Sequence, residues 1–297
     1  MQSIKIGSSD IFASRFAYGC MRISDDRSRG KRAIHAAVDA GYTLFDHADI
    51  YGGGKSESLF GEVLRESPGL RDRILVQSKC GIRLADNNGP QRYDFSREYI
   101  TRSVEGSLSR LRVEQLDLFL LHRPDYLMSS HEVAESFATL KQTGKIAHFG
   151  VSNFSTTQFE LLQSAVAEPL LVNQVEINLH NVDALRNGVL DQCQRLEVTP
   201  QAWCPLAVVA YPAWGSQLTG EDEARIRAEL ERQSAVYEVE TWLIALAWLL
   251  RHPAGISPII GSTTPERIAA AAGALDIDYA REDWYSLFEA RNGESVP

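Results

Sequence analysis

Apolar and polar positions alternate in blocks along this chain. Short runs rich in Val, Ile, Leu or Phe occupy 15–20, 43–48, 74–80, 116–122, 146–152, 171–178, 199–206 and 256–261, each ending in polar or glycine residues. Between them lie helical patterns such as 30–40, 96–111, 130–143 and 155–166. A strand-length run followed by a helical pattern, repeated, reads as parallel βα units. Eight such units in one undivided chain predict an α/β fold, a (β/α)8 barrel forming a single domain over 1–297. The segment 4–12 carries Gly7 and Ser8 at its middle and predicts a β-hairpin across the barrel bottom. The long gap before the last strand predicts extra helices near the C-terminus, 221–236 and 238–250. A doubly wound open sheet is the competing architecture, but no G-x-G-x-x-G follows any predicted strand.

Composition narrows the function. A hydrophobic fraction of 44% with 23% charged residues excludes a disordered or fibrous chain. The formal net charge of −9 argues against nucleic-acid and anionic-membrane partners. Cys20, Cys80, Cys193 and Cys204 form no C-x-x-C pair, so neither a disulfide framework nor a structural metal site is expected. The amino terminus lacks a signal-peptide core, and the longest strongly apolar stretch, 242–250, is under half of the ~20 residues that span a bilayer. The expectation is a soluble cytoplasmic protein with reduced thiols. Gly54-Lys55-Ser56 imitates the end of a phosphate-binding loop, but Asp49 stands where its first glycine belongs, and a carboxylate there repels phosphate.

In a barrel, chemistry collects at the carboxyl ends of the strands. Reading those ends in order brings Asp46, Tyr51, Lys79 and His122 to one rim. Singly, each has an ordinary role: a cap, a half-buried ring, a core imidazole. Lys79 stands apart, because alternation places it on one face with Leu75 and Gln77, and a buried lysine needs a partner. Asp46, from the adjacent strand, supplies one. Together the four suit proton transfer to a carbonyl oxygen. An ammonium beside a tyrosine lowers its pKa from ~10, and a nearby imidazole orients the carbonyl. Ser152, Asn153 and Gln174 add hydroxyl and amide groups able to bond a carboxamide, and Trp203 adds a ring at the seventh strand.

At this point the chain resembles the aldo-keto reductase superfamily. The pieces are Phe45-Asp-His-Ala-Asp-Ile-Tyr51-Gly, Ser78-Lys79, Leu121-His122-Arg123-Pro124, Gly150-Val-Ser152-Asn153-Phe, Asn173-Gln174-Val-Glu176-Ile-Asn178, and Ile259-Ile-Gly261-Ser262 with Arg267. They occur in the family's order over nearly the whole chain, and the first is similar to a bacterial subgroup of predicted oxidoreductases. The resemblance implies a (β/α)8 barrel, a nicotinamide cofactor bound without a Rossmann fold, and reversible carbonyl reduction. It implies Tyr51 as general acid, Lys79 and Asp46 as its tuning pair, and His122 as the group that positions the carbonyl. It further implies a cofactor site of Ser152, Asn153, Gln174, Trp203, Pro205, Leu206, Gly261, Ser262, Thr263 and Arg267, taking NADP(H), with NAD(H) as the other choice. Three positions depart from the pattern. Gly261 replaces a common lysine, Ala270 and Ala271 replace a Glu-Asn pair, and His47 replaces a small residue, where it is expected to shape the substrate pocket.

The main reading is an NADPH-dependent aldehyde or ketone reductase acting on a small carbonyl substrate as a monomer. A nicotinamide-sensing barrel with slow turnover is one alternative. A glycosidase using Asp46 and Glu176 is the other, and it leaves Lys79 and Tyr51 without roles. Substrate choice is assigned to the loops 83–95, 125–129 and 208–220, with Tyr93, Tyr126, Tyr211 and Trp214 as candidate pocket aromatics.

Overall fold

The computed structural model describes every residue except 88 and 212–217. The chain opens with an antiparallel pair, β1 (Ser3–Lys5) and β2 (Phe12–Ser14), in the register Ser3↔Ser14. The predicted hairpin is therefore present, with its strands displaced outward and its turn near Gly7. Gly7 has φ +55°, and a Cβ there would meet the Leu171 carbonyl oxygen at 2.7 Å, so only glycine fits. Its N–H donates to Thr199 Oγ1 at 2.8 Å, which pins the turn against the barrel bottom.

The chain then runs β3 (Ala17–Gly19), α1 (Arg27–Asp39), β4 (Leu44–Asp46), α2 (Lys55–Glu66) and β5 (Leu75–Cys80). A short antiparallel pair, β6 (Ile82–Arg83) and β7 (Arg92–Tyr93), precedes α3 (Arg97–Leu111), β8 (Leu116–Leu121), α4 (Ser130–Gln142) and β9 (Ile146–Ser152). Next come α5 (Thr156–Ala165), β10 (Leu170–Glu176), α6 (Val189–Leu196) and β11 (Thr199–Trp203). Two helices, α7 (Gly220–Tyr237) and α8 (Thr241–Leu250), fill the long gap before β12 (Ser257–Ile260), and α9 (Pro265–Ala270) and α10 (Arg281–Asn292) end the chain. β3, β4, β5, β8, β9, β10, β11 and β12 pair in parallel and close into a barrel through β12 and β3. Each predicted run overlaps one barrel strand, and β10 begins one residue before its run.

Local chemistry sets the boundaries. α1 starts earlier than the apolar pattern suggests because the Asp26 side chain accepts from the Arg29 N–H. Ser155 and Gln158 form a reciprocal capping box on α5. β11 stops at Trp203, short of the predicted 206, because Cys204 turns to φ +50°.

Burial is layered. Leu44, Leu118, Leu120, Leu171, Val172 and Ile259 fill the barrel's interior, with Leu75 against them. Val76 and Cys80, on the other face of β5, join the larger core beneath the helices. The same alternation that sends Leu75 inward sends Gln77 and Lys79 inward above it.

Candidate active site

β4, β5 and β8 end side by side, with Asp46 in register with Gln77 and Lys79 in register with Leu120. Lys79 is completely buried, and its Nζ donates to Asp46 Oδ1 at 2.6 Å and to the His47 carbonyl at 2.7 Å. Tyr51 opens a short 3₁₀ turn, Tyr51–Gly54. Its three glycines have φ of +58°, +64° and +86°, so the chain reverses immediately behind the phenol without Cβ strain. Lys79 Nζ lies 5.1 Å from the Tyr51 ring centroid, and the His122 ring stands nearly perpendicular to Tyr51 with centroids 6.0 Å apart. The four residues read from the strand ends are thus one constellation.

Its electrostatics depart in one respect from expectation. Burial pushes the Tyr51 pKa upward; the Lys79 charge pulls it down but is outweighed. Desolvation opposes the Lys79 charge, but Asp46 and Tyr51 overcome it and hold the ammonium above its usual range. Burial, aided by Lys79 and Arg123, drives His122 well below the usual imidazole range. His122 is therefore neutral near pH 7, and its buried Nδ1 has no hydrogen-bond partner among the described residues.

Beneath Lys79 lies a polar layer that strand-by-strand reading missed. Asp46 Oδ1 also accepts from Gln77 Nε2 at 2.5 Å and from Gln174 Nε2 at 3.0 Å. Gln77 and Gln174 each donate to Gln201 Oε1 at 2.9 Å, and Gln201 Nε2 returns a bond to Gln77 at 3.0 Å. The available signal was a glutamine at an inward position of β5 and another at an inward position of β11. Behind the barrel wall, Ser78 Oγ and Arg110 Nε donate to the buried Glu57 carboxylate at 2.6 and 2.7 Å. His47 also lies behind the wall. It is fully buried against Phe60, centroids 4.6 Å apart, with both ring nitrogens unpartnered among the described residues, and burial drives its pKa down to about 3. It does not shape the substrate pocket, because alternation along β4 turns it away from Asp46's face.

The residues expected to hold a carboxamide form a linked set. Ser152 Oγ donates to the Gln174 carbonyl at 2.8 Å. Asn153, at φ +62°, donates to Ser152 Oγ at 2.8 Å and to the His122 carbonyl at 3.2 Å, and accepts from Trp203 Nε1 at 2.9 Å. Gln174 is turned into the buried layer rather than toward the barrel mouth, because Asp46 and Gln201 take its amide. Pro205 and Leu206 lie in the tight turn after β11, where the Leu206 carbonyl accepts from the Val209 and Ala210 N–H groups. Beyond β12, Gly261 is exposed, and a Cβ there would make only an ordinary contact with the Gly19 carbonyl oxygen at 3.9 Å. Ser262 Oγ accepts from the Thr264 N–H at 3.2 Å, and Thr263 is half-buried beside it. Arg267 is exposed on α9 and makes no ion pair among the described residues; Asp283 is engaged by Arg232.

Tyr93 and Tyr126 meet with centroids 6.5 Å apart, whereas Tyr211 lies under Arg22. Trp214 falls outside the described residues. Asp46 is buried among three donors, one of them Lys79, and so cannot serve as an open glycosidase carboxylate. No helix among the described residues is long and apolar enough to cross a membrane.

Comparison with known proteins agrees with this geometry. Residues 15–292 match the model of the aldo/keto reductase family. The uncharacterised oxidoreductase YcsN of Bacillus subtilis is 39% identical, with each chain covered in full. The 6-dehydroglucose reductase of Novosphingobium aromaticivorans is 38% identical over 99% of this chain and 96% of its own. Among solved structures, the glycerol dehydrogenase AKR11B4 from Gluconobacter oxydans superposes with a TM-score of 0.85 at 25% identity, covering 99% of this chain and 97% of its own.

Proposed function

Because this chain belongs to the aldo/keto reductase family, we propose that it is an NADPH-dependent reductase converting an aldehyde or ketone to an alcohol, with Tyr51 as general acid. The observation that carries the reading is the buried Lys79–Asp46 pair at 2.6 Å beneath a tyrosine that shares its surroundings with a neutral histidine. A bound dihydronicotinamide supplies the hydride. Every other task belongs to side chains. The neutral His122 donates a hydrogen bond to the substrate oxygen and so aims the carbonyl at the site. Tyr51 passes its phenolic proton to that oxygen as charge develops on it, and Lys79 stabilises the phenolate left behind. Asp46 holds Lys79 charged, and the two amides on Asp46 fix its carboxylate in turn. Trp203 and the linked Ser152–Asn153 pair suit a flat ring bearing a carboxamide, since these groups offer a π-face, hydroxyl and amide atoms in one place. The protein acts on a small molecule, as a monomeric cytoplasmic barrel. Following NADPH absorbance over a panel of simple aldehydes tests the reading. Steady turnover supports it, and cofactor binding without turnover would favour a sensing role.

Cofactor choice rests on Arg267 with Ser262 and Thr263. NADPH differs from NADH by one phosphate, and an exposed guanidinium without an ion-pair partner among the described residues is free to grip it through two parallel bonds. Gly261 supplies no second cation, so the preference is weaker than in a site with both. Arg267→Ala is expected to weaken NADPH binding by ~2–3 kcal/mol, the scale of charged hydrogen bonds, and to leave NADH binding almost unchanged. Titration of both cofactors by tryptophan fluorescence checks this; equal losses would remove the phosphate role.

A further inference from the structure

A cleft of about 610 Å³ has walls that include Arg123, Asn153, Glu176, Asn181, Asp183 and Trp203. Asn153, in the same wall, donates to the His122 carbonyl at 3.2 Å and accepts from Trp203 Nε1 at 2.9 Å, which ties the cleft to the strand end that carries His122. The Arg123 guanidinium sits half-buried, 5.3 Å from the Trp203 ring centroid, and makes no ion pair or hydrogen bond among the described residues. Glu176 accepts from Asn178 Nδ2 at 3.1 Å and from Asn181 Nδ2 at 3.3 Å, one bond on each oxygen, which leaves further acceptor capacity. Arg123 and Glu176 line one cleft and do not neutralise each other.

These walls discriminate among ligand chemistries. An apolar chain would desolvate a guanidinium and a carboxylate and return no hydrogen bonds. An anion would gain Arg123 but meet the carboxylates of Glu176 and Asp183. A hydroxyl both donates and accepts, so neighbouring hydroxyls satisfy the donor fork of Arg123 and the spare lone pairs of Glu176 together. We propose that this cleft is a recognition subsite for uncharged, polyhydroxylated carbonyl compounds, in which Arg123 and Glu176 bind hydroxyls of the substrate chain. The subsite rests on the reductase reading and names its substrate class.

The test compares D-glyceraldehyde, butanal and succinic semialdehyde as hydroxylated, apolar and anionic probes, with NADPH and the full chain. Unaltered protein is expected to favour D-glyceraldehyde in kcat/KM. Arg123→Leu is expected to lower kcat/KM for D-glyceraldehyde at least ~10-fold more than for butanal, chiefly through KM, as loss of charged hydrogen bonds requires. Glu176→Gln lowers the same ratio in the same direction. Arg123→Lys recovers only part of it, because a point charge lacks the planar fork. A preference for succinic semialdehyde that Arg123→Lys restores in full would make the cleft an anion site and overturn the proposal. Equal losses for all three aldehydes, or a parallel loss of NADPH affinity, would overturn it by assigning Arg123 to the general site or to the cofactor. Butanal turnover without a selective effect defeats the subsite alone. No turnover of any aldehyde by the unaltered chain defeats the reductase reading and the subsite with it.

Discussion

Tyr51→Phe lowers turnover by at least ~10²-fold, the scale of general acid catalysis, and leaves the fold and NADPH affinity in place. The substitution removes only the hydroxyl. The ring keeps its perpendicular contact with His122, and the glycine turn behind it is untouched. Nothing nearby replaces the lost proton donor. His122 is held far below its usual pKa by burial and by the charges of Lys79 and Arg123, so it carries almost no exchangeable charge at neutral pH. Burial keeps the Tyr51 proton bound across the neutral range, which suits a donor in the direction of carbonyl reduction. The measurement is kcat for an aldehyde beside a fluorescence titration of NADPH. Near-normal turnover in the variant would take Tyr51 out of the mechanism.

Lys79→Met abolishes measurable activity and moves the alkaline limb of any residual rate to higher pH. The sign follows from the field at Tyr51. Burial raises its pKa, and the Lys79 ammonium is the principal group pulling it back. Without that charge the phenol becomes a weaker acid, deprotonating later as pH rises and giving up its proton less readily at every pH below that. Stability suffers too, since breaking a buried ion pair leaves a charge uncompensated. Asp46 keeps two amide donors from Gln77 and Gln174, which limits the damage. Circular dichroism identifies the folded variant. Should it fail to fold, Asp46→Asn probes the same coupling with the lysine in place. A folded Lys79→Met protein with substantial activity and an unmoved pH profile would show that Lys79 is structural.

The four catalytic candidates were legible because strand alternation is a local property. Leu75, Gln77 and Lys79 share a face of β5 whatever the rest of the chain does, and the polar ends of β4, β5 and β8 mark one rim once parallel βα units are recognised. The buried partner of Lys79 followed from the same pattern and the cost of an unpaired buried charge. The orientation of His47 is equally local: its neighbour Asp46 faces inward, so His47 faces the helices, where it packs on Phe60. The loops resisted reading, and Tyr93, Tyr126 and Tyr211 divide between two places rather than forming one pocket.

By itself the sequence determined the order of strands and helices, the inward and outward faces of each strand, and the identity of the groups at the barrel rim. Only the tertiary structure decided that Gln174 and Gln201, far from Asp46 along the chain, would join its carboxylate in one buried layer. Closure alone also showed that Arg123 would stand over Trp203 without an ion pair among the described residues. It reversed the expected shift of Tyr51 as well. Residue pattern is written within one strand, whereas desolvation and Coulomb fields sum over every strand that closure brings within reach.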